Sequence, residues 1–92
     1  MTFNKDPDAT VDYSVDWTAW LEADTITSVL WLTRAPLLVD HQSHTPKVAT
    51  VWLKGGAARE SYPVTCRVTT AGGRVDEYGF TISVDHNRRQ NP

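Results

Sequence analysis

Histidine and carboxylate side chains are the residues of this 92-residue chain whose types and spacing could bind a metal. Asp40, His41 and His44 stand close together with a His-x-x-His spacing, and His86 follows Asp85 much later in the chain. Imidazole and carboxylate groups are zinc ligands, but a His-x-x-His pair without a cysteine pair is more often solvated polar sequence. The sequence therefore predicts neither a metal site nor a cofactor.

Two further motifs have the residue types of catalytic or phosphate-binding sites. Ser43 directly precedes His44, but adjacent side chains rarely face each other, and no oxyanion donor accompanies them. The glycine pairs at 55–56 and 72–73 lack the Lys-Ser/Thr that ends a phosphate-binding loop, so they are predicted to be turns. Without a catalytic residue, the sequence predicts a protein that is not an enzyme.

Length and composition indicate a single globular domain. The chain is 40% hydrophobic and 22% charged, near the averages for soluble proteins. Its net charge of −2 argues against nucleic acid as a partner, and no apolar run approaches the roughly 20 residues that span a bilayer. The polar start, residues 1–8, lacks the features of a secretory signal, so we expect synthesis in the cytoplasm and no membrane partner. Cys66 is the single cysteine, which excludes an internal disulfide.

Charged residues are unevenly distributed along the chain. Residues 1–24 hold six carboxylates and one Lys, whereas residues 34–74 hold six basic residues and two acidic ones. Complementary charges steer association, so one interpretation is a head-to-tail contact between copies or with a partner. A solvated surface of mixed charge is the alternative. The candidate partner-binding residues on the two sides are Asp12 and Asp16, and Arg67 and Arg74.

Alternation of apolar and polar residues predicts β-strands in several short runs. In the first, every second residue from Val11 to Trp17 is apolar, which is typical of a half-buried strand. The alternation breaks over residues 18–23, where we expect a helical turn that places Trp20 near Trp17.

The middle of the chain has a less regular pattern. A strand is expected over residues 24–34, but both of its faces are partly apolar, so the pattern does not decide which one is buried. Residues 37–39 predict a short strand before an exposed loop over 40–45. Alternation resumes over 47–53, which predicts a further strand.

The last two strands are predicted to form a hairpin. An inward stripe runs at every second position from Tyr62 to Val68, and a second one runs from Tyr78 to Val84. The glycines in the connecting residues 71–74 accept the positive φ of a tight turn. Tyr62 stands where an immunoglobulin-like domain places its tyrosine corner, although the lone cysteine four residues on departs from the spacing of antibody-type domains.

Tryptophan is the residue type in excess, with four copies. Core packing is the simplest role for Trp17, Trp31 and Trp52, which lie on predicted strands. Trp31 is the best candidate for exposure, because Leu30 and Leu32 compete with it for burial from the opposite face. An exposed tryptophan would anchor a protein partner or stack on a sugar ring.

Together these runs predict an all-β chain, a small immunoglobulin-like antiparallel β-sandwich of six or seven strands. We expect the sandwich to span residues 11–84, with an N-terminal arm over 1–10 and a C-terminal arm over 85–92. Both arms are polar and expected to be mobile until a neighbour orders them. The open edges of the first and the last strand are candidate sites for a partner strand.

Several segments resemble a family of small structural proteins of tailed phages, described as fibre-tail adaptors with an immunoglobulin-like fold. The resembling segments are 5–9 (KDPDA), 13–21 (YSVDWTAWL), 24–26 (DTI), 49–56 (ATVWLKGG), 62–74 (YPVTCRVTTAGGR) and 76–77 (DE). Departures from the family fall mainly in residues 36–46.

The resemblance implies a virion structural protein that links the tail, or the head–tail junction, to fibres or neighbouring structural proteins. It further implies synthesis in the host cytoplasm, other virion proteins as partners, several copies in a symmetric assembly and no catalytic residue. A capsid decoration or glycan-binding surface display module is the alternative function.

Overall fold

The computed structural model describes residues 1–85 and is an all-β sandwich with one helical turn. Its seven strands confirm the predicted fold class. No helix within the described part of the chain is long and apolar enough to cross a membrane. The elements are β1 (Thr2–Lys5), β2 (Val11–Asp16), α1 (Thr18–Leu21), β3 (Ile26–Leu32), β4 (Leu37–His44), β5 (Val48–Gly55), β6 (Glu60–Thr70) and β7 (Val75–Val84).

The strands form two sheets that face each other. One sheet has the order β1-β7-β6-β3 and the other the order β2-β5-β4. All neighbouring strands are antiparallel except β1 and β7, which are parallel. The second, fifth and fourth strands thus lie opposite the third, sixth and seventh, which is the division of an immunoglobulin-like sandwich. The first strand lies beside the seventh.

Alternating side chains of both sheets fill the space between them. The predicted hairpin is confirmed, since β6 and β7 pair continuously from Glu60↔Val84 to Thr69↔Val75. The predicted helical turn is confirmed in part by α1. The buried core consists of Tyr13, Trp17, Leu21, Ile26, Trp31, Leu37, Ala49, Val51, Leu53, Tyr62, Val64, Cys66, Val68, Phe80, Ile82 and Val84.

Strand β3 corrects the prediction that Trp31 is exposed. The Trp31 side chain is only 6% exposed, opposite Cys66 of β6, while Leu30 and Leu32 face solvent. A β-bulge between Ile26 and Ser28 inserts one residue, so that Ile26 and Trp31 both point inward although their positions differ in parity. Simple alternation cannot predict this exchange of faces.

Strand β4 corrects the prediction of an exposed loop over residues 40–45. The strand continues to His44 and pairs with β5 past a bulge between Val39 and His41. It is an edge strand whose side chains beyond Val39 are all exposed, so its sequence is as polar as that of a loop. It is a strand because its backbone pairs with β5, and the pattern of apolar residues does not predict that pairing.

The N-terminal segment differs from the arm predicted over residues 1–10. Thr2–Lys5 pair in parallel with Thr81–Val84 of β7 as strand β1. Lys5, the last residue of β1, is buried and also holds the segment to the sandwich. Its Nζ donates hydrogen bonds to the carbonyl of Gly55, at 2.8 Å, and to that of Asp6, at 2.9 Å. The C-terminal arm predicted over 85–92 lies outside the described residues from residue 86 onward.

A group of four residues, Lys5, Gly56, Tyr62 and Val84, seals the sandwich where β1 and β7 end, and we call this group the closed end. Tyr62 forms the predicted tyrosine corner, since its hydroxyl accepts a 2.7 Å hydrogen bond from the backbone N–H of Ala57. Gly56 has a φ of +93°, and a Cβ there would lie 2.8 Å from Cγ2 of Val84. The backbone can approach Val84 because this position has no side chain.

Candidate functional site

An open groove lies between the two sheets on the side where β1 stops short. Strand β1 covers only the last residues of β7, so the first half of β7 faces β2 and α1 across a space of about 460 Å³. That volume lies within the roughly 300–1,000 Å³ typical of ligand pockets. The groove is lined by Met1, Phe3, Tyr13, Ser14, Val15, Asp16, Trp17, Ala19, Trp20, Asp76, Glu77, Tyr78 and Phe80.

Aromatic rings supply most of the apolar surface of the groove. Phe3 lies 5.3 Å from Tyr13 and 5.6 Å from Phe80 between ring centroids, and joins the two sheets. Tyr78 extends this row, 6.4 Å from Phe80, and is 39% exposed although it shares the parity of the core residues of β7. Rings in edge or tilted contact at these distances stabilise one another while their free faces remain available.

The far wall of the groove is built by α1, which holds Trp20 against Trp17. Their ring centroids are 5.2 Å apart, as the helical turn in the sequence predicted. Arg74 holds Trp20 from the other side, with its guanidinium 4.3 Å from the ring centroid. The same guanidinium donates hydrogen bonds to the carbonyls of Trp20, at 3.3 Å, and Leu21, at 3.0 Å. The short helix is thereby tied to the β6–β7 turn.

Asp24 completes this attachment. Its carboxylate accepts hydrogen bonds from the backbone N–H groups of Thr25, at 2.8 Å, and Gly72, at 3.0 Å, and from Arg74 Nε, at 3.2 Å. A hydrogen bond with the Thr70 side chain is the largest of several interactions that lower the pKa of Asp24 to about 2. The Asp24 carboxylate is therefore ionised at neutral and mildly acidic pH.

The rim of the groove is acidic. Asp16, Asp76 and Glu77 line it, and Glu77 is paired with Arg67; no Lys, Arg or His side chain is part of the lining among the residues that the structure describes. Tyr13 adds a polar atom to the floor, because its hydroxyl is buried without a hydrogen-bond partner in that part of the chain. Burial, with a smaller contribution from the charge of Asp12, raises the pKa of Tyr13. The groove thus offers aromatic faces, negative charge and one unpaired hydroxyl.

The residues predicted to bind a partner are dispersed over the molecule. Asp16 lies at the groove, where a hydrogen bond from the Thr18 side chain lowers its pKa. Asp12 is exposed on β2, opposite Trp52 of β5. Trp31 is buried in the core.

Both candidate arginines contact their own chain. Arg67 forms an exposed ion pair with Glu77 across the hairpin. Arg74 contacts Asp24, Trp20 and Leu21, as described above. Their role toward a partner stays a prediction.

The side chains considered for metal or nucleophilic chemistry have other neighbours. His41 stacks on Trp52, with ring centroids 4.2 Å apart, and its Nδ1 lies 2.7 Å from the Asp40 carboxylate. His44 Nδ1 contacts the carbonyl of Thr45, and no group of three metal-binding side chains occurs within residues 1–85. His86 lies outside those residues.

Cys66 is also unavailable for such chemistry. It is fully buried, and this burial raises the pKa of its thiol to about 11. At neutral pH it is therefore a protonated core residue rather than a nucleophile.

Sequence reasoning missed the groove because its lining comes from separate parts of the chain. Phe3, Tyr13, Trp20 and Tyr78 belong to four different elements. One local signal was available: Tyr78 is followed by Gly79 and preceded by two carboxylates, a composition unlike that of a fully covered strand. The pattern assigned Tyr78 to the core face, and only the absence of a neighbouring strand exposes it.

Comparison with known proteins gave a family and a structural neighbour. The family model described as podophage GP4 fiber-tail adaptor protein gp77 matches residues 5–83. The solution structure of the PKD domain from KIAA 1837 protein is 18% identical, with a TM-score of 0.46, and the match covers 96% of this chain and 87% of that chain. A search of curated proteins gave no match.

Proposed function

The chain belongs to the podophage fiber-tail adaptor family, and on that premise we propose that it is a non-enzymatic virion protein that links the tail to fibres or to neighbouring structural proteins. The match to the family model, which spans residues 5–83, carries this proposal. Other virion proteins are then its partners, and the tail, or the junction of head and tail, is its place in the particle. Several copies would occupy equivalent positions in a symmetric assembly.

Separate surfaces for two partners support an adaptor role. The groove between β7 and β2 is aromatic and acidic. The outer face of the four-stranded sheet carries Leu30 and Leu32, both at least 40% exposed, beside Arg67 on β6. One surface is a concave aromatic groove and the other a sheet face with exposed leucines, so one chain could contact two unlike neighbours at once.

Imaging of purified particles tests this proposal. Cryo-electron microscopy of the particle is expected to place a fixed number of copies at the tail, each in contact with at least two other chains. Mass spectrometry of the same particles supplies the copy number independently. A particle that contains no copy of this chain contradicts the proposal, and copies spread over the capsid surface would identify capsid decoration instead.

A glycan-binding display module is the second candidate function, because the groove combines groups that bind sugars. Aromatic rings offer flat apolar faces, and the carboxylates of Asp16 and Asp76 accept hydrogen bonds from hydroxyl groups. The test is a glycan array with the wild-type protein and Trp20→Ala, since Trp31 is buried. Failure of the wild type to bind any glycan eliminates this candidate.

A further inference from the structure

The first half of β7 has a free backbone edge. Strand β1 reaches back only to Thr81, whose N–H donates a 3.0 Å hydrogen bond to the carbonyl of Met1. Because backbone groups alternate in direction along a strand, Gly79 and Glu77 point their N–H and C=O groups toward the same side as Thr81. No strand of the described chain lies there, since β7 pairs with β6 alone over residues 75–80.

Hydrogen bonding at Glu77 supports the open edge independently. The Glu77 N–H donates a 2.8 Å hydrogen bond to Oδ1 of Asp76, the residue before it. A side chain thus occupies the donor that a neighbouring strand would use. Gly79, the next residue on this edge, is exposed, and a Cβ placed there would meet nothing closer than the carbonyl of Val64 at 3.8 Å. The edge is therefore accessible at Gly79, whereas at Glu77 a neighbouring strand would have to displace the Asp76 carboxylate.

The aromatic groove lies beneath this edge. A segment placed in line with β1 would continue the sheet, and every second one of its side chains would point toward the core face. Successive inward side chains would lie about 6.5–7 Å apart, and the inward face here is formed by Phe3, Tyr78 and Phe80. The groove can therefore receive apolar side chains at alternate positions of an extended segment.

Charge further defines the segment. The residues that line the groove include Asp16 and Asp76, neither of which forms an ion pair in the described part of the chain, whereas Glu77 is paired with Arg67. Side chains between the apolar positions of a bound segment would point to the outer face of the sheet, whereas a Lys or Arg at the inward position nearest Asp76 would stand near the carboxylates of Asp76 and Asp16. An acidic segment would be repelled.

We propose that an extended segment of another virion protein, with apolar residues at alternate positions and a Lys or Arg at the inward position nearest Asp76, adds to β7 along residues 75–79. Main-chain hydrogen bonds to Gly79 and Glu77 hold the segment, and its apolar side chains fill the aromatic groove. The Glu77 N–H exchanges its bond with Asp76 for one with the incoming carbonyl. This inference rests on the proposed adaptor function and specifies how one of its partners binds.

A map of the intact tail at side-chain resolution tests the inference directly. It is expected to contain a strand from another protein, in line with β1 and hydrogen-bonded to Gly79. An empty groove, a helix, a sugar or a second copy of this chain in it overturns the inference. The adaptor function itself fails only if the chain is absent from the tail, so the two failures are distinguishable.

Substitution at Gly79 supplies a matched pair of variants. Gly79→Pro removes the outward N–H without breaking the β6 ladder, whereas Gly79→Ala keeps that N–H and adds only a Cβ with room around it. We expect incorporation into particles to fall about tenfold for the proline variant and to remain at the wild-type level for the alanine variant. Equal incorporation of the two variants overturns the inference.

A second pair of variants decides the case if the proline variant does not fold. Tyr78→Ala removes a groove ring that is 39% exposed, and Leu38→Ala removes an apolar side chain that is 48% exposed on β4, away from the groove. Melting temperatures establish that both variants fold. We expect incorporation to fall only for Tyr78→Ala, and an equal loss for both variants contradicts the inference.

Discussion

The two halves of strand β7 meet opposite surroundings. Toward its C-terminus the strand is flanked by β1, and Val84 is fully buried beneath Gly56. Toward its N-terminus no strand among residues 1–85 flanks it on that side, and Tyr78 is partly exposed on the wall of the groove. Both halves pair with the same strand, β6, in one continuous register. The difference between them thus arises from β1, which pairs with only four residues of β7.

This difference separates residues that stabilise the sandwich from residues that are free to bind. At the closed end, Lys5 and Tyr62 use their polar atoms within the chain. In the groove, the Tyr13 hydroxyl has no partner among the described residues, and aromatic faces remain open. A small domain without disulfides derives its stability from packing, so substitutions at the closed end should mainly affect stability and those in the groove mainly affect binding.

The largest effect is expected at Gly56. Gly56→Ala forces a side chain into a positive-φ position and within 2.8 Å of Val84, so we expect a loss of about 2–4 kcal/mol in the free energy of unfolding. The control is Gly73→Ala, where φ is +84° but no atom of the described residues lies within 4 Å of the added Cβ, so that only the backbone strain of about 1–2 kcal/mol applies. Urea denaturation measures both, and equal losses would contradict the close approach of Val84.

Removal of single hydroxyl groups sharpens the comparison. Tyr62→Phe deprives the Ala57 N–H of its acceptor, and we expect a loss of about 1–2 kcal/mol. Tyr13→Phe removes a buried hydroxyl without a partner in the described chain, so we expect stability to stay the same or to rise by up to about 1 kcal/mol. Thermal unfolding of the two variants under identical conditions measures the difference. A larger loss for Tyr13→Phe would show that its hydroxyl is paired after all.

Arginine substitutions test how firmly the wall of the groove is held. Arg74→Gln removes the guanidinium that covers Trp20 and bonds to two carbonyls, so we expect a loss of about 1 kcal/mol and a change in tryptophan fluorescence. Arg67→Gln breaks an exposed ion pair with Glu77, which contributes about 0–1 kcal/mol in typical proteins, and should leave the fluorescence unchanged. A fluorescence change in Arg67→Gln but not in Arg74→Gln would contradict the contact between Arg74 and Trp20.

The smallest effect is a dependence of stability on acidic pH. Asp24 has a pKa of about 2 in the folded chain, compared with about 3.9 in an unfolded one. Its contribution to stability is therefore fully present above about pH 5 and is lost as the pH falls toward 2. Asp24→Asn should reduce the slope of stability against pH in this interval, and Thr70→Val, which removes the largest cause of the low pKa, should reduce it less. An unchanged slope in Asp24→Asn would contradict this account.

Local sequence patterns predicted the parts of the fold that depend on local sequence. The stripes from Tyr62 to Val68 and from Phe80 to Val84 face the core as expected, and the turn between the strands lies where the glycines are. Strand β2 is an open edge, as predicted. The last strand, β7, was also expected to be an edge, but β1 covers its C-terminal half.

The failures arise from bulges and from pairing between distant segments. In β3, the bulge between Ile26 and Ser28 shifts the alternation so that Trp31 points inward. In β4, the strand continues past the bulge between Val39 and His41 although its residues there are polar. Strand β1 was missed because four residues without a clear alternation gain their structure from β7, almost 80 positions away. The groove exists because β1 pairs with only the C-terminal half of β7. The pattern of hydrophobic residues does not predict where a neighbouring strand ends.

The hydrogen bond between Asp76 and Glu77 also bears on aggregation. An exposed edge is a hazard for any β protein, because a second copy can pair with it. Here the Asp76 carboxylate occupies the Glu77 N–H, and two copies that paired edge to edge would each have to displace it and bring a like charge to the joint. The carboxylate that disfavours pairing of the edge with a second copy is thus the same one that would attract a basic side chain of a partner.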